Sequence, residues 1–180
     1  MDAGLCVSCG TCVAVCPVNV LELEAGKPKL VGKCIECGLC YRDCPRAELD
    51  EDKLDKTAYG RGREDKERYT GVYKAVYAAR TISRDIQGRA QDGGVVTSLL
   101  TQFLDDGGDG VIVAGLEEGK VWLPKPVVAR SREEALGAAG TKYTVSPTML
   151  GVRKAVKDFG LKKLAVVGTP CQMRGLTLLT

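Results

Sequence analysis

The apolar positions of this chain are distributed unevenly, and their pattern divides it into three stretches. Residues 1–45 hold short apolar runs between closely spaced cysteines, residues 46–70 are mostly charged, and residues 71–180 alternate apolar runs with glycine-rich breaks. A stretch as short as the first can bury little apolar surface by itself. The alternation in the last stretch predicts strands that alternate with helices, and hence an α/β layer with an at least partly parallel sheet.

The elements of the last stretch follow from its apolar runs and from the residues that interrupt them. The segment Gln91-Asp92-Gly93-Gly94 is one predicted break, and a second lies at 107–110. Pro124 and Pro126 place an extended segment near a sheet edge. The predicted elements are a strand over 72–79, a helix over 95–103, a buried strand over 111–114, an extended segment over 121–130, a short helix opening at 131–134, a helix over 149–159 and a buried strand over 164–167.

Helix starts and strand ends give the first indication of a binding site. Ser131 and Glu134 have the spacing of a capping box, and Ser146 before Pro147 predicts an N-cap followed by proline at the first helical position. Ligands of α/β sheets bind beyond the carboxyl ends of the strands. Gly115 and the segment 168–172 follow two predicted strands, so both are expected to border a site.

The first two stretches are simpler. Residues 18–31 predict a hairpin around Ala25-Gly26-Lys27-Pro28. From 46 to 68, 15 of 23 residues are charged, which favours a solvated linker or an exposed helix between two modules. A segment that docks a partner is the alternative for this stretch.

Composition narrows the function classes. The 180 residues carry a net charge of +3, which gives no general reason to expect nucleic acid or lipid as a partner. No run approaches the ~18 apolar residues of a membrane span, and residues 1–10 lack the pattern of a signal peptide. We therefore expect a cytoplasmic protein without direct membrane insertion, or one attached to a membrane only through its partners.

Eight of the nine cysteines form two copies of one motif. Each copy has the spacing C-x2-C-x2-C-x3-C followed by proline, and the second copy lies 28 residues after the first. With this spacing three thiolates bind one 4Fe–4S cluster and the fourth reaches across to the other. The assignment is Cys6, Cys9, Cys12 and Cys44 to cluster one, and Cys34, Cys37, Cys40 and Cys16 to cluster two.

Two structural zinc sites are the alternative use of these cysteines. Zinc usually takes two separated C-x2-C pairs rather than four cysteines within eleven residues, so the spacing favours iron–sulfur clusters. Disulfides are not expected without a secretion signal, and the absence of histidine leaves thiolates as the metal ligands. The motif therefore predicts electron transfer as the function.

Five segments of the last stretch match one enzyme family in its own order. They are QDGGVVTSL at 91–99, DGVIV at 109–113, KPV at 125–127, GTKY with SP between 140 and 147, and GTPCQ at 168–172. They resemble the beta subunit family of coenzyme F-420 hydrogenases and dehydrogenases, over residues 72–175. The cysteine module in front is similar to the arrangement in F-420H2 dehydrogenase input subunits.

The resemblance implies a flavoprotein with a defined domain order. An α+β ferredoxin-like two-cluster module at 1–45 and a charged linker at 46–70 would precede the N-terminal part of an α/β flavin-binding domain at 71–180. That domain would be truncated, because family members continue well past the segment 168–172. The FAD-binding residues that the resemblance implies are Asp92, Gly93, Gly94, Thr97, Thr141, Lys142, Tyr143, Ser146, Thr169, Pro170, Cys171 and Gln172.

Individual roles follow from side-chain chemistry within this resemblance. Gly93 and Gly94 would let backbone N–H groups meet an FAD phosphate or the ring edge. Lys142 would donate to a phosphate or stabilise negative charge on reduced flavin. Cys171 has three alternatives: a residue beside the flavin, a ligand of a further cluster, or a buried thiol. No catalytic residue is assigned beyond the flavin site.

The implied activity is that of an oxidoreductase subunit. It would exchange a hydride between coenzyme F-420 and FAD, and pass single electrons through two 4Fe–4S clusters to a hydrogenase, a membrane dehydrogenase, or a disulfide or sulfite reductase. One alternative is a ferredoxin-type wire whose α/β part only docks it to a larger complex. Another is a reductase of the same fold that acts on a different conjugated substrate.

Overall fold

The computed structural model describes residues 4–179; residues 1–3 and 180, the ends of the first and last predicted domains, lie outside them. Of the helices described, none combines the length and apolar character of a bilayer-spanning segment. The elements are α1 (Thr11–Val15), β1 (Leu21–Glu24), β2 (Lys27–Leu30), α2 (Leu39–Arg42), α3 (Glu51–Tyr59), a 3-10 turn (Asp65–Glu67), α4 (Arg84–Gln87), α5 (Val95–Asp105), β3 (Gly110–Glu117), β4 (Lys120–Ala129), α6 (Arg132–Gly137), α7 (Thr148–Arg153), a π turn (Lys154–Asp158), β5 (Leu164–Val166) and α8 (Pro170–Leu178).

The sheet of the last stretch has three strands in the order β4-β3-β5. The central strand β3 pairs antiparallel with β4 and parallel with β5. This confirms the predicted partly parallel sheet. It also confirms the edge position of the segment with Pro124 and Pro126, because a proline removes a donor that an inner strand would need.

Side chains of β3 alternate between two apolar cores, one on each face of the sheet. Ile112 lies in a core with Met149 of α7 and with Leu176 of α8, whereas Val111 packs on the other face with Leu100 of α5. Ala14 of α1 is buried in the first of these cores. The cysteine stretch and the α/β stretch therefore share apolar packing.

The predicted hairpin in the cysteine stretch is confirmed. Strands β1 and β2 pair antiparallel, from Leu21 opposite Leu30 to Glu24 opposite Lys27. The turn between them is Ala25-Gly26, with φ of 48° and 75°. Two positive φ angles are what a two-residue hairpin turn of the I′ type requires.

Two helix starts are also as predicted. Helix α5 begins directly after Gly94, whose φ of 68° ends the preceding break. At α6 the Glu134 N–H donates to Ser131 Oγ at 3.2 Å, and the Glu134 carboxylate accepts from the Ser131 N–H, which completes the capping box. At both helix starts, the residues next to the first turn were sufficient to predict where the helix begins.

The predicted strand over 72–79 is wrong. This segment is irregular, and Val76 and Tyr77 are 85% and 84% exposed. An apolar run becomes a strand only where another strand can complete its hydrogen bonds. No strand within residues 4–179 forms such a ladder with 72–79, and the Val76 and Tyr77 side chains stay in solvent.

The start of α7 is one residue later than predicted. Pro147 is the N-cap and Thr148 the first helical residue, so Ser146 is not the cap. The backbone carbonyl of Ser146 accepts a hydrogen bond from Gln172 Nε2 at 2.6 Å, which ties this segment to α8 instead. Of the predicted 149–159 helix, residues 149–153 are α-helical and residues 154–158 form the π turn.

The charged stretch folds, and only part of it is the solvated linker that was predicted. Helix α3 is the exposed helix that composition allowed. Beyond it the Glu67 side chain is 1% exposed and accepts hydrogen bonds from both Arg61 guanidinium N–H groups, at 2.6 and 2.7 Å. Arg174 of α8 pairs with Glu51 of α3 at 2.8 Å, which ties the stretch to the α/β part.

Candidate functional site

The first cysteine repeat is docked on the α/β stretch through backbone and charge. The Met149 N–H of α7 donates to the Cys9 carbonyl at 3.2 Å. The Arg153 guanidinium at the other end of α7 donates to the Val13 carbonyl at 2.9 Å and to Asn19 Oδ1 at 2.5 Å. These contacts fix the loop of the first repeat against α7.

The structure brings Cys44 of the second repeat to three cysteines of the first. Burial raises the pKa of the Cys12 thiol to about 11, and the neighbouring Cys9, Cys6 and Cys44 thiols add to the increase. Cys44 of the second repeat is therefore near enough to Cys12 of the first repeat to influence its thiol.

Cys16 lies in a different environment. It is buried, and burial favours its neutral thiol, but backbone N–H groups of residues 18–21 outweigh this and lower the pKa of Cys16. Among its predicted co-ligands, Cys34 and Cys37 are exposed and Cys40 is half-buried. N–H groups directed at the sulfur stabilise the thiolate form that an iron ligand needs.

Among residues 4–179, no three Cys, Asp or Glu side chains are placed to ligate one single metal ion together. In a 4Fe–4S cluster four thiolates hold a multi-iron unit, so the assignment of the eight cysteines to two clusters stays a prediction.

An open cleft of about 910 Å³ lies where the two stretches meet. Val113 and Ala114 of β3, and Val167 with Gly168 after β5, line one side of it. This is the carboxyl side of a parallel strand pair, where α/β sheets bind ligands. Gly115, predicted to border a site, does not line the cleft; a Cβ at Gly115 would meet Val127 at 2.6 Å.

Most of the predicted cofactor-binding residues line this cleft together. The exception is Pro170, which is the first residue of α8 and does not line it. The predicted residues in the lining are Asp92, Gly93, Gly94, Thr97, Thr141, Lys142, Tyr143, Ser146, Thr169, Cys171 and Gln172.

The glycine pair and the start of α5 form one wall. A Cβ at Gly93 would meet the Ala79 carbonyl at 2.7 Å, and one at Gly94 would meet Ile86 and Thr81 side-chain carbons at 2.9 Å. No side chain caps the α5 N-terminus. The first N–H groups of α5 therefore lack intrahelical acceptors at the cleft, which suits a negatively charged ligand.

Ser146 has a buried hydroxyl without a protein partner. It is 6% exposed and lines the cleft, and its Oγ makes no hydrogen bond within the described residues. Buried hydroxyl groups are normally paired, so an unpaired one next to a cleft points to a ligand that completes it.

Lys142 is engaged by the protein itself. Its Nζ donates to the carbonyl oxygens of Ala138, Ala139 and Gly140 at 2.5–2.9 Å, and partial burial lowers its pKa. The lysine thus caps the end of α6. Its ammonium group faces carbonyl oxygens rather than open cleft, and a phosphate would have to displace these bonds.

Among the lining residues that were not identified from the sequence, Gln91 and Val7 contribute most to the geometry of the cleft. Gln91 Oε1 accepts from the Thr141 N–H at 3.2 Å and Gln91 Nε2 donates to Tyr143 Oη, so this side chain clamps the loop 139–144 beside the glycine turn. Val7, next to Cys6, also lines the cleft. The QDGG segment, which matches the family, could have identified Gln91 as a residue of the site. The position of Val7 at the cleft could not be predicted, because it depends on how the cysteine stretch packs against the α/β stretch.

On the α8 side, Thr169 and Cys171 lie next to each other. Thr169 Oγ1 and Cys171 Sγ are 3.1 Å apart, and Thr169 with Gln172 forms a capping box at the start of α8. Cys171 is half-buried and lines the cleft. Of its alternatives, the position beside the ligand is the one that this geometry favours.

Two families match the chain, each over one stretch. Residues 5–49 match the 4Fe–4S dicluster domain. Residues 76–152 match the N-terminal domain of the coenzyme F-420 hydrogenase/dehydrogenase beta subunit.

Curated relatives agree with both matches. The coenzyme F-420 hydrogenase subunit beta of Methanothermobacter thermautotrophicus is 49% identical over 108 residues, which cover 59% of this chain and 38% of that protein. The coenzyme F-420-dependent sulfite reductase of Methanocaldococcus jannaschii is 38% identical over 177 residues, which cover 98% of this chain and 25% of that protein. The chain thus spans well under half the length of these relatives.

A solved structure supports the same relationship. A chain of the F-420-reducing nickel–iron hydrogenase complex from Methanosarcina barkeri superposes with a TM-score of 0.51 at 44% identity, covering 56% of this chain and 36% of that one. Sequence motifs, family matches and fold agree. The chain therefore belongs to the coenzyme F-420 hydrogenase/dehydrogenase beta subunit family and carries a 4Fe–4S domain in front of the family's N-terminal domain.

Proposed function

We propose that this chain exchanges a hydride between coenzyme F-420 and FAD and passes single electrons through two 4Fe–4S clusters to a partner complex. The observation that carries the proposal is the position of Val7. This residue follows Cys6 in the first cysteine loop and lines the same cleft as the predicted flavin residues. A cluster held by that loop would border a ligand bound in the cleft.

The residues of the cleft fit FAD. The volume of the cleft, about 910 Å³, lies at the upper end of the range for cofactor sites. Apolar residues such as Val113, Ala135 and Val167 line it around a few polar groups, as a ring system requires. The uncapped N-terminus of α5 suits the phosphates, and the unpaired Ser146 hydroxyl remains for a polar edge of the ligand.

FAD would supply the conversion between hydride chemistry and single-electron chemistry. The chain's own residues would bind and orient it. Gly93 and Gly94 let the turn before α5 pack tightly, because a Cβ at Gly93 would meet the Ala79 carbonyl and one at Gly94 would meet Ile86 and Thr81. This packing would fix the α5 N–H groups at the edge of the cleft. Gln91 would hold the loop 139–144 over the cleft through Thr141 and Tyr143.

The cysteine module would carry electrons away from the cleft in two steps. Cluster one, with Cys6, Cys9, Cys12 and Cys44, would lie next to the cleft because Val7 belongs to its loop. Cluster two would lie farther out, since Cys34 and Cys37 are exposed. An exposed second cluster would be accessible to a partner protein. Ile35 and Tyr41, which follow Cys34 and Cys40 in the sequence, are 56% and 66% exposed.

The partner would be another redox subunit, of the hydrogenase, dehydrogenase or sulfite reductase type found among the relatives. A cytoplasmic location fits the eight cluster cysteines, because a reducing compartment keeps them as thiols until iron binds. The competing function is that of a ferredoxin-type electron-transfer subunit without flavin chemistry of its own. The chain spans only part of the relatives' length.

Anaerobic purification with iron, sulfide and flavin analysis tests the proposal, followed by addition of F-420H2 under observation of the visible spectrum. We expect about eight irons and one FAD per chain, and bleaching of flavin and cluster absorbance. Eight irons without flavin and without bleaching would contradict it and leave the wire. Bleaching by another reduced ring, but not by F-420H2, would keep the fold and change the substrate.

A further inference from the structure

The irregular segment before α4 has the sequence of a strand and is not covered by the rest of the structure. Its apolar residues Val76 and Tyr77 are 85% and 84% exposed. Neither a turn nor a bend interrupts residues 75–83, so this part of the chain does not fold back on itself. The residues 75–80 alone have the usual length of a strand.

The backbone of residues 74–80 is open to pairing. In the part of the chain that the structure describes, no group forms a hydrogen bond with an N–H or a carbonyl of this segment. Before it, the Tyr73 N–H donates to the Glu67 carboxylate at 3.4 Å. After it, the Thr81 N–H donates to the Gly93 carbonyl at 2.7 Å. The segment is thus held at both ends, and its exposed backbone is a template for a strand from another chain.

The charges along the segment indicate the kind of strand that would pair with it. Residues 72–84 contain three basic side chains and no acidic one. Because side chains alternate along an extended backbone, Lys74, Val76 and Arg80 would share one face of a strand. Neither Lys74 nor Arg80 forms an ion pair with any of the described residues. Carboxylates placed opposite both cations would therefore stabilise the pairing.

A second copy of this chain would fit the segment poorly. In an antiparallel pair of two copies, the register that joins all of 74–80 places Lys74 opposite Arg80 twice. A parallel pair in register places each of these cations beside its own equivalent. Like charges directly opposite each other destabilise a pair of strands. The occupant that fits is therefore a different, acidic polypeptide.

We propose that residues 74–80 form a docking strand, which pairs with an extended segment of a partner protein that carries acidic side chains opposite Lys74 and Arg80. The two acidic residues would be six positions apart on one face of the partner's strand. Ala79 lines the cleft, so the partner's strand would lie at the rim of the cleft. The pairing involves no cysteine, flavin or substrate, and the inference goes beyond the proposed function.

A designed peptide represents the partner in the test. The peptide Glu-Val-Thr-Ile-Thr-Val-Glu carries fluorescein at its N-terminus and an amide at its C-terminus, and its palindromic sequence offers the same side chains in either strand direction. It is titrated with the anaerobically purified full chain, and binding is followed by fluorescence anisotropy. We expect saturable binding. Hydrogen–deuterium exchange should be slower for the amides of 74–80 in the complex, because a paired strand protects them.

Exchange of the charges distinguishes a paired strand from an apolar patch that binds any peptide. The double variant Lys74→Glu, Arg80→Glu should bind this peptide about tenfold more weakly, since two attractive cross-strand pairs become repulsive. It should bind the same peptide with lysine at both ends about tenfold more tightly than the unaltered chain does. The matched control is Lys53→Glu, Lys157→Glu, which reverses two exposed lysines elsewhere and should leave both affinities unchanged. Iron contents equal to that of the unaltered chain show that the variants fold.

Three results would overturn the inference: binding that does not saturate, equal affinity for the glutamate and lysine peptides, or binding without protection of the 74–80 amides. Protection of these amides that increases with protein concentration in the absence of peptide would assign the surface to a second copy and likewise overturn it.

The test is also distinct from that of the proposed function. A chain that binds the glutamate peptide with protection of 74–80 but contains no flavin supports the docking strand and rejects the proposed function. A chain that F-420H2 bleaches but that does not bind the peptide rejects the docking strand and keeps the function.

Discussion

The two cysteine repeats have the same spacing and opposite surroundings. In the first repeat Cys9 and Cys16 are buried, and its loop is bonded to α7 through Met149. In the second repeat Cys34 and Cys37 are exposed. The two motifs, 28 residues apart, therefore have the same cysteine spacing and differ in the burial of their cysteines.

The difference shows which residues set the environment of a cluster. The spacing of cysteines selects the kind of ligand site. Its burial depends on residues outside the motif, such as Arg153 and Gly175, which meet α1 from the α/β stretch. The first repeat (6–16), which we call the inward repeat, lies next to the cleft, and the second (34–44), the outward repeat, faces solvent. The proposed electron path therefore runs from the cleft through the inward repeat to the outward repeat.

The largest expected effect comes from exchanging the fourth cysteine of each repeat. Cys44→Ser should remove cluster one, beside the cleft, although Cys44 belongs to the exposed repeat. Cys16→Ser should remove cluster two, although Cys16 is buried. Each variant should lose about four of about eight irons, and electron paramagnetic resonance of the remaining cluster identifies which one is left.

The same pair of variants tests the direction of the path. In Cys16→Ser, reduced flavin should still reduce cluster one rapidly, whereas in Cys44→Ser the surviving outer cluster should be reduced slowly, since electron transfer slows with distance. Rapid-mixing spectroscopy at cluster wavelengths measures both. Loss of the cluster of the same repeat in each variant would contradict crossed ligation.

Gly10 and Gly38 occupy equivalent positions of the two repeats and provide a matched comparison. Both have positive φ, 84° and 74°, at the start of a short helix. A Cβ at Gly10 would lie 3.1 Å from Leu150, whereas one at Gly38 meets nothing within 4 Å. Alanine should cost about 1–2 kcal/mol at both sites for the left-handed backbone, and about 1 kcal/mol more at Gly10.

Anaerobic urea unfolding followed by circular dichroism measures that difference, with the rate of iron loss to a chelator as a second readout. Gly10→Ala should release iron faster than Gly38→Ala. Equal midpoints for the two variants would show that docking on α7 does not distinguish the repeats.

Arg153 connects the inward repeat to the α/β stretch by charge, and the next smaller effect is expected there. Arg153→Met removes the bonds to the Val13 carbonyl and Asn19 and should cost about 1.5–2 kcal/mol, the lower end of the range for hydrogen bonds to a charged group, because both contacts are partly exposed. Arg153→Lys should recover part of this through a single contact. Anaerobic urea midpoints of the three chains give the comparison, and a methionine variant as stable as the unaltered chain would exclude the contact as a stabilising one.

Local chemistry explains what the sequence could predict. The cysteine motifs, the Ala25-Gly26 hairpin turn and the Ser131 capping box each depend on residues close together in the chain, and the structure contains the turn and the cap as predicted. The GTPC segment lies at the cleft because it follows β5, and the QDGG segment lies there because it precedes α5, which packs against β3 and runs back toward the start of that strand.

The misses all depend on tertiary contacts. Within residues 4–179 no strand pairs with the apolar run at 72–79, and no helix was predicted where the structure has α8. Gly175 of α8 is explained by the fold, since a Cβ there would lie 2.5 Å from Thr11 Oγ1 of the inward repeat. The position of Val7 at the cleft likewise depends on the packing of the inward repeat against the α/β stretch.

The charged stretch after the outward repeat shows most clearly how tertiary contacts overrule composition. Its composition predicted a solvated segment, whereas the fold buries the Glu67 carboxylate. Glu67 accepts bonds from Arg61, from the Glu64 N–H at 2.9 Å and from the Tyr73 N–H at 3.4 Å. The Arg61 hydrogen bonds are the largest cause that lowers the pKa of Glu67 to about 2. The outward repeat thus precedes a turn held by one ionised side chain.

Glu67→Gln is expected to give the smallest effect, a lower melting temperature at neutral pH with the iron content unchanged. A carboxylate with a lowered pKa stabilises the fold fully above its unfolded-state pKa of about 4.5, and this contribution is lost as the pH falls from there through about 2. The melting difference between variant and unaltered chain should therefore stay constant from about pH 8 to pH 5.5, where the carboxylate is ionised in both states. A difference that shrinks within this range would mean that Glu67 titrates near neutrality and is not held by Arg61.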